Sequence, residues 1–153
     1  MPKKKLLPFL VAICSVLFLN GCREAGYSCS LSIHHTTLSP EKIRNAWYNR
    51  KKYEGPKVNS SAPNCFNYSR ILKSIPSKKA QILECFNNKE TNPQDLNYQL
   101  DLYFIDYSPD RAFNDPNVQN ELKEIMGEIK NDIQKIGLID VNQDCSAFKR
   151  PVM

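Results

Sequence analysis

Apolar and polar positions alternate along this chain with two different periods. From Tyr27 to Ile33 (YSCSLSI) every second residue, Tyr27, Cys29, Leu31 and Ile33, is apolar and the residues between are serines, the period of two of a half-buried strand. Leu96–Tyr107 repeats it, with Leu96, Tyr98, Leu100, Leu102 and Phe104 on one side and Asn97, Gln99, Asp101, Tyr103 and Ile105 on the other. Farther on the period lengthens. Val118, Leu122, Ile125, Met126, Ile129, Ile133 and Ile136 follow the spacing of an amphipathic helix, opened by Asp115-Pro116 and closed by Gly137.

Ser39-Pro40-Glu41 marks another helix start, because serine caps free amides, proline is preorganised for the first turn and glutamate suits the positive helix end. This helix is expected to run to about Lys52, with Trp47 on its inner face. Glu54–Asn64 concentrates Gly, Pro, Ser and Asn and is expected to be a surface loop. Phe66–Ile75 and Lys78–Asn87 are expected to be two short helices on either side of Pro76. Leu138–Val141 suggests a short strand, followed by a tail over Asp144–Met153. The order predicts an α+β domain, a small sheet packed by helices that include one long amphipathic C-terminal helix.

The first 22 residues carry a different message. Lys3, Lys4 and Lys5 precede an apolar stretch, Leu6–Leu19, which ends in Leu19-Asn20-Gly21-Cys22. As a helix the stretch would cover about 21 Å, short of the roughly 30 Å needed to cross a bilayer. The final quartet resembles the lipobox of bacterial lipoproteins, with Asn20 where that family usually has a small residue. The resemblance implies that residues 1–21 are a removable signal, that Cys22 carries diacylglyceryl and an N-acyl chain, and that the lipid bilayer is a partner. Beyond the signal, residues 22–27 read as a short tether, and the remaining length suits one domain over residues 28–153. Arg23, rather than an aspartate, follows the cysteine, which in that family points to the outer membrane, facing the periplasm.

Without Cys14 and Cys22, four cysteines remain: Cys29, Cys65, Cys85 and Cys145. An even number in an exported chain suggests two disulfides, with three possible connectivities. A chain reversal at Pro76 would bring Cys65 and Cys85 level, which favours that pair and leaves Cys29 with Cys145. No C-x-x-C pattern suggests a metal, and no cofactor is indicated.

The formal charge is +5, with three of the positive charges in Lys3–Lys5. The remainder is polarised: residues 23–89 hold 12 basic and 4 acidic groups, and residues 90–153 hold 6 basic and 12 acidic. The halves face one another, are simply solvated, or present a basic surface to anionic headgroups or an acidic partner. Nucleic acid is excluded as a partner by compartment and by the lack of basic runs interleaved with stacking aromatics.

No G-x-S-x-G nucleophile elbow or phosphate-cradling glycine loop occurs. His34-His35 is an adjacent pair whose rings diverge on a strand. Asp101, Asp106, Asp110 and Asp115 could supply a carboxylate pair of the glycosidase kind if two of them converge. The sequence therefore predicts a non-enzymatic, membrane-anchored envelope module that binds a protein, of the inhibitor, immunity or secretion-accessory type. Its expected contacts are the 54–64 loop and the acidic turn Ser108–Asp115. The alternatives are a small envelope hydrolase using the aspartates and a structural lipoprotein whose basic half contacts peptidoglycan.

Overall fold

The alternation around Tyr27 extends well beyond its apolar core. In the computed structural model, which describes residues 23–59, 61–89, 92–106, 114–138 and 140–151, the first strand β1 spans Arg23–Thr36. A helix α1 follows at Pro40–Trp47, then the strands β2 (Glu54–Asn59), β3 (Ala62–Ile71), β4 (Lys79–Lys89) and β5 (Asn92–Ile105). The long helix α2 (Pro116–Gln134) and the strand β6 (Val141–Pro151) complete the order. The strands form one sheet in the order β2-β3-β4-β5-β1-β6, and every pairing in it is antiparallel.

Both helices begin as their residues dictate. The Ser39 hydroxyl accepts from the Lys42 amide at 3.2 Å and Pro40 follows it; the Asp115 carboxylate accepts from the Asn117 amide at 2.8 Å and Pro116 follows it. α2 buries Val118, Leu122, Ile125, Met126, Ile129 and Ile133, the stripe expected from its period. They meet Tyr27, Cys29, Leu31 and Ile33 of β1 and Leu96, Tyr98, Leu100, Leu102 and Phe104 of β5 in one core. The helices thus cover one face of the sheet.

Several elements differ from the expectations. α1 stops at Trp47 rather than near Lys52, because Tyr48 turns extended (φ −74°, ψ 127°) and donates its hydroxyl to the Gly55 carbonyl. The two short helices expected around Pro76 are instead the strands β3 and β4. The 54–64 segment is the edge strand β2 with the start of β3. Residues 23–27 are strand, not tether: Arg23 stands opposite Pro151 and Gly26 opposite Phe148. The expected tail belongs to β6 as far as Pro151, with residues 152–153 outside the described residues, so α2 is not the C-terminal element and the sheet is larger than expected.

Both disulfides have the favoured connectivity. Cys29 is bonded to Cys145 and Cys65 to Cys85, and each pair is directly opposite in its strand register. The chain does reverse near Pro76, as a β-hairpin, and that reversal levels Cys65 with Cys85.

The polarised charge is resolved partly within the fold. Lys78 Nζ reaches Asp106 at 2.7 Å, and Glu128 accepts from Lys52 at 3.1 Å and Arg70 at 3.3 Å. Basic first half and acidic second half therefore face one another at these contacts.

Candidate functional site

The face of the sheet opposite the helices carries the alternate residues of every strand. On β1 these are Ser28, Ser30 and Ser32, whose small side chains leave a trough between the bulkier residues of β5 and β6. Phe148 stands opposite Gly26, and a Cβ at Gly26 would meet both the Phe148 ring and the Phe104 carbonyl. Glycine is therefore what lets the aromatic ring lie across β1 and wall the trough.

The result is a groove of about 460 Å³ with a floor of Ser28, Ser30, Gln99 and Asp101 and walls of Leu83, Tyr103, Ile105 and Phe148. A second depression of about 260 Å³ adjoins it through Gln99 and extends over Ser32, His34, Asn97 and the Cys65–Cys85 disulfide. The lining combines apolar walls with a few convergent polar groups, the usual make-up of a recognition site. Among the described residues Asp101 is its one carboxylate. It accepts from the Gln99 side-chain amide at 2.9 and 3.0 Å and has no ion pair among the described residues.

His34 and His35 occupy a β-bulge. Ile33 faces Tyr98 and Thr36 faces Leu96, so the two histidines oppose the single residue Asn97. His34 Nδ1 lies 3.3 Å from the Asn97 carboxamide oxygen. No cluster of three or more His, Cys, Asp or Glu suited to a metal occurs among the described residues.

The aspartates singled out from sequence do not gather. Asp101 is in the groove, buried Asp106 accepts from Lys78 and its amide donates to the Ala25 carbonyl, and Asp115 caps α2. Asp110, most of the Ser108–Asp115 turn and Cys22 lie outside the described residues.

A second polar cluster, which the sequence did not point to, lies on the helix side. Glu84 is fully buried on β4 and accepts from Arg44 Nε at 2.7 Å, the Tyr68 hydroxyl at 2.6 Å and the Tyr98 hydroxyl at 2.7 Å. Trp47 Nε1 donates to the Tyr98 hydroxyl at 2.9 Å. Burial works against the Arg44 charge, but the hydrogen bond and attraction of Glu84 outweigh it and raise its pKa. Burial first, and then Glu84, push the Tyr68 and Tyr98 hydroxyls well above the usual phenol range. With its donors already supplied, Glu84 has the character of a structural clasp between α1, β3, β4 and β5. Read as a strand, Ala80, Ile82, Glu84 and Phe86 share one face, and that alternation was the available signal.

Compared with known proteins, the chain matches no family model and no curated protein. The open-face groove is accordingly judged on its own chemistry.

Proposed function

We propose that this protein is a lipid-anchored envelope module that binds a partner protein through the groove on the open face of its sheet. The observation that carries the reading is the difference between the two faces. One is sealed by α1 and α2, and the other holds a serine-floored trough with apolar walls and an Asp101 carboxylate that no cation neutralises among the described residues. Such a site suits a protein segment that offers a lysine or arginine to Asp101 and apolar side chains to Leu83, Ile105 and Phe148.

The anchoring part of the proposal rests on Leu19-Asn20-Gly21-Cys22 and is supported by two formed disulfides, which belong to oxidising compartments. Because β1 begins at Arg23, acylation of Cys22 would fasten the sheet itself to the bilayer, with no spacer. The location favoured by Arg23 is the periplasmic side of the outer membrane.

The test is photo-crosslinking in cells from a probe at Ser30, in the groove, and from one at Lys123, on the exposed side of α2. A discrete adduct from Ser30 that disappears with Asp101→Arg, without one from Lys123, is expected. Adducts from Lys123 alone would place recognition on the other face and overturn the assignment. Intact-mass analysis of the membrane fraction tests the Cys22 acyl chains separately.

A further inference from the structure

Beside the β2–β3 edge, a cleft of about 320 Å³ is lined by Arg50, Lys51, Lys52, Tyr53, Arg70 and Lys73, with Glu54 and Ile71 on its border. Its cations come from three segments: the turn after α1, the strand β3 and the turn that follows it. The last is pinned in place, since Glu121 of α2 accepts from the Lys73 amide at 2.7 Å and the Ser74 amide at 2.8 Å.

The charges in this cleft do not cancel. Glu54 is engaged by Lys79 Nζ at 2.7 and 2.8 Å, and Glu128 is shared by Lys52 and Arg70. Arg50, Lys51 and Lys73 have no acid partner among the described residues. Arg70 is buried, yet only its Nη1 is used, towards the Tyr53 hydroxyl at 3.2 Å and Glu128 at 3.3 Å. Its Nε and Nη2 donors meet no acceptor among the described residues. A buried guanidinium with idle donors is costly, and phosphoryl oxygens match its planar fork in charge and geometry.

We propose that this cleft binds a phosphoryl group, held by the Arg70 fork and neutralised by Arg50, Lys51 and Lys73. The group can come from inorganic phosphate or from the headgroup of an anionic phospholipid. The register links the cleft to the anchor. Ile71 faces Lys79, Gln81 faces Tyr103 and Gly26 faces Ile105, so Ile71 lies at the end of the sheet where β1 begins. Three strand spacings, about 14 Å, separate Ile71 from Gly26, which lies three residues inside the start of β1. If Cys22 is acylated, the cleft sits at headgroup level, with Ile71, 51 % exposed, among the cations. Only this placement rests on the anchoring reading; the phosphoryl site does not.

The experiment follows backbone amide shifts of the full-length protein in neutral detergent. One arm adds millimolar inorganic phosphate against chloride of equal ionic strength, and the other dopes the micelles with phosphatidylglycerol against phosphatidylcholine. Saturable shifts at Arg70 and Lys73 are expected. Lys51→Gln with Lys73→Gln should weaken binding by about tenfold or more, while Lys42→Gln with Lys123→Gln, an equal change of charge elsewhere, should leave it unaltered. Response to free phosphate assigns a soluble ligand, and response to the anionic lipid alone assigns a headgroup. Silence in both arms, or equal loss in the control pair, overturns the proposal. Binding by a protein whose mass reveals no acylation would keep the site and remove only its membrane placement.

Discussion

Tyr98 donates its hydroxyl to the Glu84 carboxylate across 2.7 Å, in a site from which solvent is shut out. The bond joins neighbouring strands on the helix side of the sheet, and Arg44 extends it into α1 at 2.7 Å. Burying a carboxylate is unfavourable unless its lone pairs are filled, so the cluster stands or falls as a unit. Glu84→Ala should strand Arg44 and both tyrosine hydroxyls and cost about 3–5 kcal/mol. Tyr98→Phe, which also deprives Trp47 Nε1 of its acceptor, should cost about 1–3 kcal/mol. Urea unfolding of the oxidised protein measures both, and a smaller loss for Glu84→Ala than for Tyr98→Phe would contradict a clasp centred on the carboxylate.

The same cluster makes a prediction at alkaline pH. Tyr68 and Tyr98 have raised pKa values through burial and Glu84, and Tyr53 is raised by burial despite the opposing Arg70. In the unfolded chain these phenols would ionise near 10. Their contribution to stability is therefore complete below pH 10 and drains away as pH rises towards their folded values. Of the chain's 7 tyrosines, these three should be missing from the first phase of an absorbance titration at phenolate wavelengths and should ionise only as the fold opens. Full ionisation of all tyrosines in one phase, with the circular dichroism unchanged, would refute the prediction.

The two disulfides should contribute unequally. Cys29–Cys145 spans a sequence separation of 116 and Cys65–Cys85 one of 20. In the chain-entropy treatment those loops correspond to about 5 and about 3 kcal/mol. Cys29 is also fully buried in the core, so truncation there adds a packing defect. Replacing Cys29 and Cys145 by alanine should consequently lower the denaturation midpoint more than replacing Cys65 and Cys85. The reverse ranking would show that strain or residual unfolded structure governs the difference.

What the sequence revealed of this fold depended on where charge was buried. β1, β5 and α2 were legible because their inward positions are apolar, apart from Thr36 on β1 and Glu121 on α2. β3 and β4 were not, because their inward faces include Arg70 and Glu84, residues that a hydrophobic pattern assigns to the outside. With those positions counted as polar, the remaining Phe66, Ile71, Leu72 and Ile75 imitate helical spacing. β6 escaped for another reason: Asn142, Gln143 and Asp144 are all exposed, so no period exists, and the strand is held by backbone pairing with β1 and by Cys145. The groove shares this history. Its serines are visible as the polar side of β1, but Phe148 lies in a segment that reads as a tail, and only the β1–β6 register brings it over Gly26.

Glu121 supplies the acid limb of the stability profile. Burial alone would raise its pKa, but hydrogen bonds from the Ser74 hydroxyl and amide and from the Lys73 amide outweigh burial and lower it. Glu128 is lowered too, with burial outweighed by Lys52 and Arg70. The unfolded chain therefore takes up these protons first. Their stabilisation is complete above the ordinary glutamate value of 4.5 and is lost as pH falls through the folded values. Glu121→Gln keeps the shape but surrenders the charge, and at neutral pH it should cost about 1–2 kcal/mol. The gap between wild type and variant should narrow as the medium is acidified below about pH 4.5, with Glu128 leaving a residual slope in both. Thermal midpoints measured from neutral to pH 3 provide the comparison, and a gap that stays constant or widens towards acid would mean that Glu121 holds the 73–74 turn by shape rather than by charge.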